Sequence, residues 1–247
     1  MLPYALFELR RTLKNPRFIV MTLAMPVLIN IVFVKLNGSR FSGIALSTFA
    51  EGYMMNMAAF ATVSACLSTA GHRLAQERAS GWFSFLTLTP LRPIDIVGGK
   101  IIAAIGVGVP AVVAVFASGI LVNGVRVSPV SLLLALGVVV AGSIAFAALG
   151  VVIGLLTTGE TSYAAAMIAL MFFAVVGGLW MPRETMPVWM GRVTELTPSY
   201  QIAQTGKNLL GGDGVLAWQP PLVFATWAIA FIAIALAAYR RSANPDR

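Results

Sequence analysis

The feature that most constrains this chain is a succession of apolar runs, each long enough to cross a bilayer as a helix and each closed by a short polar or Pro/Gly-rich stretch. A helix rises about 1.5 Å per residue, so a hydrocarbon layer about 30 Å thick asks for about 20 residues. Residues 18–36, 48–71, 94–122, 130–156, 162–180 and 221–239 each meet or approach that length. Composition agrees: the 247 residues are 58% hydrophobic and 11% charged, against about 25% charged in a soluble domain. The expected fold is therefore an all-α membrane protein, one domain over 1–247 with six transmembrane helices. Pro26 and Pro110 fall inside apolar runs and read as kinks, because a lipid-embedded helix re-satisfies the backbone groups that proline frees.

Lys and Arg positions orient the bundle. One side receives Arg10, Arg11, Lys14, Arg17, Arg73, Arg78, Arg92, Lys100, Arg240, Arg241 and Arg247; the other receives Lys35, Arg40, Arg126, Arg183, Arg192 and Lys207. Eleven against six puts both termini and the stretch 72–100 in the cytoplasm. The net charge of +8 thus reads as membrane orientation. No basic run is long enough to make a phosphate-binding patch, and nucleic acid is not an expected partner.

Three polar stretches carry the rest of the organisation. In 1–16, Leu2, Leu6, Leu9 and Leu13 recur at helical spacing opposite Glu8, Arg11, Thr12 and Asn15, the pattern of an amphipathic helix lying at the lipid headgroups. No cleaved signal peptide is expected there. Residues 182–219 contain two pieces that read as short helices, 187–196 and 199–210. The interruption between the second and third apolar runs, HRLAQERASGWFSFLTLTPLRPIDIVGGK at 72–100, combines charge with Trp82, Phe83, Phe85 and Leu86. A polar stretch that still presents aromatics should be covered by something, and another protein on the cytoplasmic side is the expected cover.

Resident chemistry is sparse, and that narrows the function. With a single histidine, His72, the chain cannot form a His-Glu-x-x-His zinc site, so no metal is expected. Ser143 and His72 belong to different spans and make a poor nucleophile–base pair; Ser143 reads as a packing residue and His72 as a solvated residue at the membrane edge. The lone Cys66 excludes an internal disulfide and reads as a small core residue. Glu51 and Glu160 are the carboxylates that an ion-coupled secondary transporter could use, yet both read as interfacial. The GxxxxGK[ST] phosphate loop is missing, so the chain is not expected to be an enzyme by itself.

The stretch 72–100 resembles the membrane subunit of ABC-2 type ABC transporters. That family's loop between the second and third spans reads Glu-x-x-x-Gly-Thr-x-Glu-x-Leu-x-x-x-Pro and later Gly-Lys. Glu77, Gly81, Leu86, Pro90, Gly99 and Lys100 fall at matching places, with Trp82 and Ser84 in place of the usual threonine and glutamate. A second match follows the fifth span, where Gly178, Pro182, Met186, Pro187, Trp189, Leu196 and Pro198 fit the family's Gly-x-x-x-Pro, Met-Pro-x-Trp and Leu-x-Pro pattern. The resemblance implies a permease subunit of an exporter in a bacterial or archaeal plasma membrane. It implies two partners: a second permease copy, identical or a sister chain, and two copies of a separate ATPase subunit that binds ATP and Mg. A coupling helix between the second and third spans would seat in the ATPase, with Trp82, Phe83, Phe85, Leu86 and Pro90 as its apolar part, Glu77 and Arg78 as polar rim and Gly81 as the turn. Short re-entrant helices on the outer side would gate the pathway around Pro182, Pro187, Trp189 and Pro198.

Met54, Met57, Phe60, Met167, Met171 and Phe172 crowd the second and fifth spans and are candidates to line the pathway. Methionine and aromatic side chains adapt to irregular apolar molecules, which favours an amphipathic drug, natural product or lipid-like cargo. A secondary carrier and an ABC-2 exporter of a polysaccharide or lipid-linked glycan are the alternatives.

Overall fold

The structure, a computed structural model, describes residues 10, 16–38, 44–81, 92–180, 183, 186–211 and 218–243. These residues are almost entirely helical, without a strand among them. In chain order they form α1 (Pro16–Asn37), α2 (Ile44–Cys66), a π-helical segment (Leu67–His72), α3 (Arg73–Ala79), α4 (Pro93–Leu121), α5 (Pro129–Leu156), α6 (Gly159–Val175), α7 (Val188–Glu195), α8 (Pro198–Leu210) and α9 (Gln219–Ala243). Proline opens α1, α4, α5 and α8, where its missing N–H removes nothing the helix would use. Ser128 caps α5, its Oγ accepting from the Ser131 N–H at 3.0 Å. Pro26 and Pro110 lie inside α1 and α4 without ending them.

Among the described residues three helices are long and apolar enough to cross a membrane: 93–121, 129–156 and 219–240. Shorter apolar helices cover 22–37 and 159–175. α2 carries Glu51, Asn56 and several hydroxyl residues, and it is enclosed by its neighbours: Met54, Met55 and Met57 are fully buried and Phe60 nearly so. It packs on α4 and α1, while α5 lies between α9, α8 and the π segment.

Two expectations change. The segment read as the fifth span ends at Val175, not at residue 180. Gly178 adopts φ +68°, its N–H bonds to Val175 O at 3.1 Å and Leu179 N–H to Ala174 O at 3.0 Å, which closes the helix with a left-handed glycine. The stretch 72–100 is not a free loop. Residues 72–79 continue the second helix and 93–100 begin the third long one, so only 80–92 lie between them. From Ile44 through Ala79 the chain runs as uninterrupted helix, roughly 50 Å at 1.5 Å per residue. The two outer pieces read from the sequence are present as α7 and α8. The proposed interfacial helix at 1–16 lies outside the described residues apart from Arg10 and Pro16.

Where α5 meets the π segment, glycines bring backbone against backbone. A Cβ on Gly150 would stand 2.9 Å from both Ala70 Cβ and Cys66 O; one on Gly154 would stand 2.7 Å from Gly71 O and 2.8 Å from Leu74 Cβ. Backbone cannot step aside as a flexible side chain can. Gly154→Ala is expected to lower the unfolding free energy by about 1–3 kcal/mol, the range for overpacking. Gly137→Ala, where an added Cβ meets nothing within 4 Å, is expected to be close to neutral. Thermal unfolding of the purified variants in one detergent checks the contrast.

Candidate functional site

Glu77 closes the last turn of α3 and Lys100 stands in the second turn of α4, 23 residues on, each with only 5% of its side chain exposed. Lys100 Nζ donates to Glu77 Oε2. An isolated charge buried this deeply carries a penalty of several kcal/mol, which a partner charge offsets. The pair therefore fixes the two ends of the polar stretch to each other. The neighbouring Arg78 turns the other way, its Nη1 donating to the carbonyls of Gly154 at 3.3 Å, Leu155, and Thr157 at 3.4 Å. These are among the last carbonyls of α5, which have no partner within the helix, and a cation there also complements the helix dipole. Gly81, with φ +77° and open space around its Cα, then turns the chain away from α3. Glu77, Arg78 and Gly81 thus act together as an anchor. Trp82, Phe83, Phe85, Leu86 and Pro90 lie outside the described residues.

Among the pathway candidates, Phe60, Met167 and Met171 share a cleft of about 460 Å³ with Thr22 and Pro26 of α1 and Leu67 and Ser68 of the π segment. Phe60 also leans on Trp180, ring centroids 5.6 Å apart. Met54 and Met57 are instead fully enclosed by the subunit's own helices. Phe172 is half-exposed and lies outside this cleft.

His72 was expected to be solvated, but it is partly buried at the end of the cleft with both ring nitrogens engaged. Ser162 Oγ donates its only proton to Gly159 O at 2.6 Å, so at 3.0 Å from His72 Nδ1 it must accept. The proton of the neutral ring therefore sits on Nδ1. Nε2 is left to accept from Gln76 Nε2 at 2.9 Å. Tyr163 packs its ring against the imidazole at 72°, centroids 5.8 Å apart. Sequence reasoning missed this cluster because its members belong to two helices about 90 residues apart in the chain and none sits in a recognisable motif.

On the other side of the bundle α8 turns back between α2 and α5. Ile202 and Ala203 are buried, Gly206 lies against Met55 and Gly142 of α5 against Ile202. Pro198, a gate candidate, is buried as the first residue of α8, whereas Pro187 and Trp189 are exposed on and before α7; Pro182 lies outside the described residues. Trp227 Nε1 donates to Leu196 O at 2.8 Å, Ser199 Oγ to Phe173 O at 3.0 Å and Asn56 Nδ2 to Leu179 O at 3.1 Å. These bonds tie the segment between α6 and α9 to the long helices. Cys66 is fully buried, its thiol 3.8 Å from Ser143 O, and Ser143 bonds back to Val140 O at 2.6 Å; both are packing residues.

A helical bundle with these long apolar helices, its one buried ion pair among the described residues set at the ends of two of them, is a multi-pass membrane protein. Residues 45–239 match the family described as ABC-2 family transporter protein. The chain belongs to that family of transport permeases. It is also 28% identical, over 225 residues covering 91% of both chains, to YvfS of Bacillus subtilis (strain 168), a protein named as a transport permease.

Removing one partner of the buried pair should be more damaging than removing both. Glu77→Gln or Lys100→Met alone is expected to lower stability by about 3 kcal/mol or more, and the double variant Glu77→Met/Lys100→Met by clearly less than either. A double-mutant cycle on thermal unfolding measures the coupling.

Proposed function

We propose that the chain is the membrane subunit of an ABC exporter, with six spans, both termini in the cytoplasm of a bacterial or archaeal cell, and a second permease copy across the pathway. α1, α2 and α6 would be the first, second and fifth spans, and α4, α5 and α9 the third, fourth and sixth. The cleft lined by Phe60, Met167 and Met171 would face the pathway and receive an amphipathic cargo. A separate ATPase subunit, holding ATP and Mg, would dock on the stretch between α3 and α4.

The observation that carries this reading is the anchored helix itself. α2, the π segment and α3 are one helix. Its cytoplasmic end is held by Glu77–Lys100 to α4 and by Arg78 to α5, and residues 60–72 of the same helix contribute to the cleft. A push delivered beside Gly81 would thus reach the cleft along a rigid element. The same geometry weakens the ion-coupled alternative. The deeply buried carboxylate is already paired with Lys100, and Glu160 is exposed.

Two measurements test the proposal. The purified chain is expected to hydrolyse no ATP alone and to transport only when reconstituted with an ATPase subunit; turnover by the isolated chain would sink it. In intact cells carrying Cys66→Ala, Ser80→Cys should resist an impermeant thiol reagent while Arg126→Cys is labelled, both positions being exposed. The opposite pattern would overturn the orientation.

A further inference from the structure

Beside the cleft described above lies a second cavity of about 550 Å³ lined by His72, Gln76, Gly159, Glu160 and Tyr163, and the two share His72 and Tyr163 as walls. Volumes of this size suit small organic molecules. Both linings are mostly apolar, and the one carboxylate, Glu160, belongs to the second. We propose that this double cleft binds an amphiphilic organic cation, its apolar body against Phe60, Leu67, Met167 and Met171 and its positive group at the mouth beside Glu160 and Tyr163. The inference rests on the transport reading and adds the charge class of the cargo.

Charge decides the class. Glu160 is exposed in the first turn of α6, and no Lys or Arg pairs with it among the described residues. His72 is occupied within the chain: Nδ1 lies 3.0 Å from Ser162 Oγ and Nε2 2.9 Å from the Gln76 amide. The mouth thus presents one carboxylate and neither Lys nor Arg among its described lining residues. A cationic head is drawn to that carboxylate, and an anionic head is repelled by it. Tyr163, 54% exposed, offers a ring at the boundary of the two compartments, where a cation gains from the quadrupole.

The cleft is also built rather than incidental. Leu67, Ser68 and His72, three of its lining residues, come from the π-helical segment, and such segments are rare and concentrate at functional sites. The extra residue per turn widens the helix where α2 passes from its enclosed part to α3. The methionines opposite are unbranched and polarisable, and they accommodate apolar bodies of varied shape.

Tetraphenylphosphonium and tetraphenylborate, near-isosteric ions of opposite charge, with uncharged triphenylphosphine oxide as third probe, separate charge from shape. Their binding is measured by equilibrium dialysis on the full chain in phosphatidylcholine nanodiscs, without ATPase or nucleotide. The phosphonium is expected to bind saturably and the borate not to. Glu160→Gln should weaken phosphonium binding by up to about fivefold, the range of an exposed ion pair, and leave the phosphine oxide unchanged; Glu160→Lys should weaken the phosphonium further. Phosphonium should also slow alkylation of Ser68→Cys in a Cys66→Ala background, placing the probe in the cleft. Phosphonium affinity indifferent to both Glu160 variants, or no protection at Ser68→Cys, overturns the proposal. Because the ATPase is absent, these outcomes leave the transport reading standing. Intact cation binding with no transport by the assembled complex would sink that reading alone.

Discussion

The end of this bundle where α3 meets α4 depends on one buried ion pair. Glu77 and Lys100 stand at the facing ends of two long helices, almost without water contact. A buried pair is a poor source of net stability compared with apolar packing, but it is intolerant of separation, since parting the charges strands both. This makes it a better fixing point than an apolar contact, which can slide at little expense. Arg78 extends the fixing to a third helix by supplying donors to the last carbonyls of α5. The ends of α3, α4 and α5 are thereby joined through polar contacts that all lie within a few residues of Gly81.

Immediately above this junction the packing turns from polar to steric. Gly150 and Gly154 bring α5 against the π segment so closely that a methyl group at either would meet backbone. Apolar side chains gain little from helix contact inside lipid, so close backbone approach through small residues is the principal source of helix adhesion there. One face of the π segment is thus pinned to α5, while its other face opens on the cleft and its last residue, His72, bonds to Ser162 of α6. A small rotation of α3 would be felt first at that histidine, because the anchored helix offers no flexible joint before it.

Much of this was legible in the sequence, and the rest was hidden for physical reasons. The starts of the apolar helices were readable because proline and capping residues mark them, as at Pro93, Ser128 and Pro129. The end of α6 was not, since Val176–Trp180 is as apolar as the helix before it and only the left-handed Gly178 breaks it. In the sequence Glu77 reads as part of a polar rim facing a partner and Lys100 as an orienting charge, whereas the structure buries the two together. Hydropathy scores each residue singly and cannot see that two opposite charges 23 positions apart cancel each other's burial penalty. Likewise Met54 and Met57 shared their composition with Phe60 but not its face, and periodicity was too weak in a helix apolar all round to separate them. The resemblance to ABC-2 permeases picked out Glu77 and Lys100 without giving the reason they belong together.

If force applied between α3 and α4 is carried into the bundle, the end of α3 and the end of α5 move as one body. Pulsed dipolar spectroscopy tests it most directly, with spin labels at the exposed positions Ser80 and Thr158 in the assembled transporter through its nucleotide cycle. The predicted result is a single narrow distance that does not change on ATP binding, and that broadens when Arg78→Ala is introduced. A Ser80–Thr158 distance that shifts with nucleotide in the unaltered anchor would contradict it.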